Sequence, residues 1–165
     1  MKKINFTLLF AFIALMFTNA QGLKGAASIG FPSEDTHTFS IIVDATYLFE
    51  VEDNIMAGPF IGYSHSFGDD LTVNAGGATF TAEYDDAQFV PIGASGRYSF
   101  TENLYGGLDL GYAIGINDGN DGGFYYAPRV GFSITDTIDI IGAYRGVAVS
   151  GGSFNILSAG VEIDL

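Results

Sequence analysis

The stretch "YSFTENLYGGLDLGYAIG" (residues 98–115) holds two interleaved rows. Leu104, Gly106, Leu108, Leu110, Tyr112, Ile114 and, just beyond, Ile116 form one. Tyr105, Gly107, Asp109, Gly111, Ala113, Gly115 and Asn117 form the other. A period of two marks a β-strand with one apolar face. The fold turns on what that face touches, a protein core or lipid.

The same alternation recurs along the chain. Candidate strands cover 23–31, 38–50, 55–67, 80–100, 104–117, 124–134, 138–149 and 154–165, which makes eight. The tight acidic turns "VEDN" (51–54), "TEN" (101–103) and "TDT" (135–137) alternate with longer loops. Those loops are "PSEDTH" (32–37), "GDDLTVNAGGAT" (68–79), "DGNDGG" (118–123) and "SGGS" (150–153). Turns and loops therefore gather at opposite ends of the sheet, as in an up-and-down antiparallel meander. The hairpins around Thr101 and Thr135 resemble each other, but no repeat consensus supports a solenoid.

The apolar rows run for nine to eleven residues in several strands, the length a tilted strand needs to cross a bilayer. Tyr47, Phe49, Tyr98 and Phe100 stand beside the short turns. Phe39, Tyr63, Phe67, Tyr112, Phe124, Tyr126 and Tyr144 stand toward the loops. Two aromatic bands around an aliphatic middle match the girdles of a membrane barrel. The opposite rows are small: Gly58, Gly62, Ser64; Gly93, Ser95, Ser99; Gly107, Gly111, Ala113; Ala127, Gly131, Ser133. Water-facing rows would carry Lys, Glu and Thr, whereas small rows suit a narrow lumen that eight strands just enclose.

All three arginines, Arg97, Arg129 and Arg145, share this inward parity with Asp44, Glu50, Asp109, Asp139, Glu162 and Asp164. Charge in a tight interior must be paired. The expectation is a lumenal network of Arg97, Arg129 and Arg145 with Asp44, Asp109, Asp139 and Glu162. Closure answers a further demand, since an open sheet edge finds no water in hydrocarbon.

The N-terminus, "MKKINFTLLFAFIALMFTNAQG", reads as a secretory signal over residues 1–20. Lys2 and Lys3 precede the apolar run Phe6–Phe17, and Thr18-Asn19-Ala20 is the cleavage site, leaving a barrel domain over 21–165. The apolar run is shorter than the ~20 residues a spanning anchor needs. Beyond Ala20 four Lys/Arg face nineteen Asp/Glu, a formal −15, which repels nucleic-acid backbones. Without cysteine, neither disulfides nor thiolate metal sites are available.

These features resemble the small outer-membrane β-barrels of the OmpA transmembrane-domain and OmpX type, the porin-family barrels of the Gram-negative cell envelope. The resemblance covers 21–165 and rests on architecture. Its most specific part is the last strand, "NILSAGVEIDL", in which Leu157, Ala159, Val161, Ile163 and Leu165 alternate to the end. It looks like the C-terminal signal that the barrel-assembly machinery reads, although the family's usual final Phe is Leu165 here. The resemblance implies an eight-stranded transmembrane barrel in the cell outer membrane, bounded by lipid and lipopolysaccharide, with termini and short turns in the periplasm. Glu34, Asp35, Asp69, Asp70, Glu83, Asp85, Asp86, Asp118 and Asp121 would then lie at the cell surface.

Other chemistry finds little support. "GYSHS" (62–66) lacks the last glycine of a nucleophile elbow and lies within a strand. Ser64 and Ser66 face away from His65, whose row holds no carboxylate, so a lipid-modifying enzyme is disfavoured. His37 reads as a solvated loop histidine near Glu34 and Asp35. "NDGNDGG" (117–123) fits no calcium-loop register, although loose Ca²⁺ or Mg²⁺ binding by the acidic loops is open. The reading is a non-enzymatic outer-membrane barrel with a packed polar lumen, no catalytic or metal site and no cofactor. It serves envelope integrity or surface contacts. The alternatives are a narrow pore and a soluble periplasmic ligand-binding barrel with the apolar rows turned inward. The sequence sets no oligomeric state.

Overall fold

The computed structural model describes residues 22–165 apart from 35, 70, 76–77, 83 and 150, with residues 71–75 and 78–82 described by backbone alone. The signal segment 1–20 and its cleavage after Ala20 lie outside the described residues, as do Asp35, Asp70 and Glu83.

The elements are β1 (Leu23–Pro32), β2 (His37–Tyr47), β3 (Phe49–Glu52), β4 (Ile55–Gly68), β5 (Leu71–Ala75) and β6 (Ala78–Ala82). They continue with β7 (Ala87–Ser99), β8 (Leu104–Gly115), β9 (Gly123–Ser133), β10 (Ile138–Val149) and β11 (Gly152–Asp164). Eight of them are barrel staves. Each pairs antiparallel with its neighbours in the order β2, β1, β11, β10, β9, β8, β7, β4. Pairing of β2 with β4 closes the ring, with Asp44 opposite Gly62. β3 carries the second stave onward past Leu48 and stays paired with β4. Leu48 itself turns into the barrel, and its N–H donates to Gly22 O at 2.7 Å.

Two strand boundaries differ from those expected. The stretch 80–100 is not one strand: β6 ends at Ala82 and the stave β7 begins at Ala87. The long loop 68–79 contains β5, which pairs with β6 in a separate two-stranded hairpin, Val73 opposite Phe80. This hairpin stands on the loop end of the barrel, between β4 and β7.

The two faces follow the two rows. Leu104, Leu108, Leu110, Tyr112 and Ile114 of β8 are exposed on the outer wall, while Tyr105, Asp109 and Ala113 are buried inside. The same polarity holds on every stave. Phe31, Ile41, Ile61, Ile92, Val130, Phe132, Ile140 and Leu157 face outward. Aromatic pairs lie on the outer wall at both ends. Tyr98 meets Phe100 edge-on at 5.3 Å by the turns, and Phe39 stacks on Phe67 at 4.5 Å by the loops. An interior lined by the apolar rows, as a soluble ligand-carrying barrel requires, is therefore overturned: those rows form the outside.

Candidate functional site: the lumen

The lumen divides along its axis. Toward the turn end the small inward residues make room for large ionic ones. A Cβ on Gly107 would lie 3.0 Å from Arg129 Cγ and 3.3 Å from Arg97 Cγ. A Cβ on Gly131 would fall within the Tyr105 ring, and one on Gly62 would meet Asp44 Oδ1. The glycine rows are thus the mould in which long side chains from neighbouring staves are cast.

Glu162, on β11, is the hub, and it is 1% exposed. Arg97, from β7, donates to both of its carboxylate oxygens, through Nη1 to Oε1 and through Nη2 to Oε2 at 2.7 Å. Arg129, from β9, reaches Glu162 Oε2 with Nη1 at 3.4 Å and binds Asp109 of β8 with Nη2. Tyr105 places its hydroxyl 3.2 Å from both Glu162 Oε1 and Asp139 Oδ2, and its one proton serves either acceptor. Its ring lies under the Arg97 guanidinium at 5.1 Å. Lys24, near the start of β1, binds Asp164 and approaches Asp139 Oδ2 at 3.5 Å and Glu162 Oε1 at 3.9 Å.

Arg145 forms a second, separate group. It spans the barrel to Asp44 with Nη2–Oδ2 at 2.7 Å and Nη1–Oδ1 at 3.2 Å. It also donates to Tyr125 Oη at 3.2 Å and, through Nε, to Ser158 Oγ at 3.1 Å. All seven expected residues point inward, but the structure sorts them into two groups. Arg97, Arg129, Asp109, Asp139 and Glu162 fall in one, Arg145 and Asp44 in the other. Lys24, Tyr105, Tyr125 and Ser158 join them unforeseen. The Arg97 and Arg129 Nε atoms, Asp109 Oδ1 and Ser95 Oγ are buried with no hydrogen-bond partner among the described residues. Most polar atoms of the network are thus satisfied by protein groups. Glu50 and Asp164, which share the inward parity, stand exposed at the turn end.

Toward the loop end the lumen is mainly apolar, unlike the packed polar lumen expected. Ile42, Phe60, Phe89, Ala113, Tyr125, Ala127, Val147, Phe154 and Ile156 form one buried cluster. Phe89 packs on Phe154 at 5.5 Å and Phe60 on Tyr125 at 5.6 Å. Where this cluster meets Arg145 the remaining void is only about 10 Å³, roughly a single water by the usual measure. Above it the mouth opens into a cavity of about 290 Å³ with Phe89, Phe154 and Val149 on its floor and Glu34, Asp85, Asp86, Asp118 and Asp121 around it.

The histidines do not assemble a reaction centre. Ser66 is buried in the lumen with its hydroxyl 2.6 Å from that of Ser40, while His65 lies on the outer side. His65 does have a carboxylate partner, contrary to the row-based reading: Asp86, from the loop before β7, lies 2.8 Å from its Nε2. The other Asp86 oxygen accepts the Gly68 N–H at 3.0 Å. That amide and the His65 ring, in that order, hold the Asp86 carboxyl below its usual range. His37 has its Nδ1 2.9 Å from Thr36 Oγ1 and sits edge-on to Phe154 at 5.1 Å, packed at the mouth rather than free in solvent. Among the described residues no group of three or more His, Cys, Asp or Glu could hold a metal ion.

No protein-family model and no curated sequence matches the chain. Solved structures do. A de novo designed transmembrane β-barrel superposes with a TM-score of 0.56 at 10% identity, over 88% of this chain and 96% of its own. The designed barrel TMB2.3, solved by solution NMR, gives 0.54 at 15% identity, over 88% and 94%. The outer membrane protein Ail of Yersinia pestis, in a phospholipid bilayer nanodisc, gives 0.54 at 13% identity, over 86% and 98%. Two of these proteins were designed and one evolved, and they share with this chain the closed eight-stranded antiparallel barrel that its own registers describe.

Proposed function

We propose that this chain is an integral outer-membrane β-barrel without catalytic activity, serving envelope integrity or surface contacts. The observation that carries the reading is polarity. The outer wall is a continuous apolar band edged with aromatic rings, and the ionic groups are inside. In water such a wall would be an exposed apolar area far larger than a soluble monomer tolerates. In a bilayer it is matched to its solvent, and the closed ring leaves no unpaired edge.

Orientation follows from the resemblance, with termini and short turns in the periplasm and loops outside. The last strand supports recognition by the barrel-assembly machinery: Leu157, Ala159, Val161, Ile163 and Leu165 form one outward row. The acidic mouth, with its aromatic floor, favours contact with cationic groups or with lipopolysaccharide through divalent cations. A narrow pore is disfavoured by the filled lumen, since aqueous channels of this architecture use 16–18 strands.

Membrane fractionation followed by detergent electrophoresis tests the reading. The protein should remain with outer membranes and shift in mobility on boiling. Recovery in the soluble periplasm would overturn the proposal. Planar-bilayer recordings should show no stable conductance steps; such steps would restore the pore.

A further inference from the structure

The lumen closes across the seam between the first and last strands, where Ala26 faces Glu162, Ala27 faces Val161 and Ser28 faces Gly160. A one-residue slip at this seam would turn the inward row of β11 outward, so polarity forbids it. A two-residue slip keeps polarity and is the dangerous error. Two neighbouring residues of β11 stand against it. If Ala27 slid opposite Ile163, Glu162 would occupy the place of Gly160. There even a Cβ would strike the Ala27 carbonyl oxygen and Ser28 Oγ, with Ser28 Cα at 2.6 Å. If Ala27 slid opposite Ala159, Gly160 would occupy the place of Glu162. Arg97, which is 5% exposed, would then lose the carboxylate that it binds. The first slip is blocked by volume and the second by an uncompensated buried charge.

We propose that Gly160 and Glu162 form a two-part register key, by which the barrel closes in one alignment. Glu162 is a positioning residue in this device. It acts through Arg97 and Arg129, which stand on staves distant from the seam. The inference uses only the registers and the lumen, so it stands whichever membrane holds the barrel.

The absence of native cysteine makes a direct test clean. Cysteines placed at Ala27 and Val161 report the native alignment, and at Ala27 and Ala159 the slipped one. All three positions lie on the outer wall, and a diagonal neighbour is beyond disulfide reach. The chain is unfolded in urea, refolded into detergent micelles, and oxidised. With Glu162 present, only the 27–161 pair should cross-link. In Glu162→Gln the 27–159 product should rise from background to a level comparable with the native product. Arg97→Gln, which leaves the seam untouched, should do the same and serves where Glu162→Gln yields no heat-shifted form. A folded variant of either kind that gives the 27–161 product alone overturns the key, as does a 27–159 product in the unmodified background.

Discussion

Around Phe89 and Phe154 the lumen is filled by rings and branched chains, whereas around Arg97, Arg129 and Glu162 it is filled by guanidinium and carboxylate groups. Both fillings occupy a narrow tube, but they depend on their neighbours differently. An apolar side chain that is cut back loses its own contacts and leaves a hole. An ionic side chain that is removed strands a charge belonging to another strand. The first loss is local, and the second spreads through the hub at Glu162.

That contrast can be broken by substitution. Arg129→Leu takes from Asp109, which is 0% exposed, the guanidinium that it binds. It should destabilise the barrel by about 3–5 kcal/mol, read as a lower urea midpoint in micelles. Changing Arg129 and Asp109 together to Met and Leu should recover most of that loss, because Asp109 is no longer left unpaired and Glu162 keeps Arg97. Phe154→Ala should cost about 3 kcal/mol through its cavity, and no partner substitution should recover it. Equal recovery in both halves would erase the distinction. Tyr105→Phe keeps the ring over Gly131 and removes only the hydroxyl. Its cost should be about 1 kcal/mol, and a much larger one would place the hydroxyl, rather than Glu162, at the centre.

The smallest effect concerns pH at the loop end. The Asp86 carboxyl is held below its usual value by the Gly68 amide and then by His65. A depressed carboxylate contributes its stabilisation above the ordinary carboxylate range. That contribution is lost as pH falls through the lowered value. Protease cleavage within 69–86 should therefore rise modestly on strong acidification, and Asp86→Asn should flatten the response. A response that the substitution leaves intact would move the titration elsewhere.

The outer wall was legible from sequence because nearly every outward position is apolar, so one row of each strand is uniform. The inward row is not uniform. Ile41 and Ile42 are both apolar, and alternation alone does not say that Ile42 joins the buried cluster while Ile41 faces outward. Phe89, Phe154 and Ile156 were hidden for the same reason. The arginines announced themselves, being long cations in rows of small residues. Which carboxylate each would bind did not show, since the lumen brings together residues such as Asp44 and Arg145, 101 positions apart in sequence. The tilt and stagger of the staves decide those meetings. The Asp86–His65 contact escaped because the carboxylate arrives from a loop, outside any strand row. The hairpin β5–β6 escaped because each of its strands is only five residues long and lies in a stretch rich in Gly, Asp and Ala.

The placement of the cations has one more consequence. After Ala20 the only Lys and Arg are Lys24, Arg97, Arg129 and Arg145; the three arginine side chains turn into the lumen, and Lys24 is held in ion pairs at its turn end. An enzyme of tryptic specificity thus meets a wall and a rim on which its recognition side chains are withheld. The intact barrel should survive digestion whole. Opened chains should fall into a few large fragments, so that the count of survivors becomes a direct census of closed molecules.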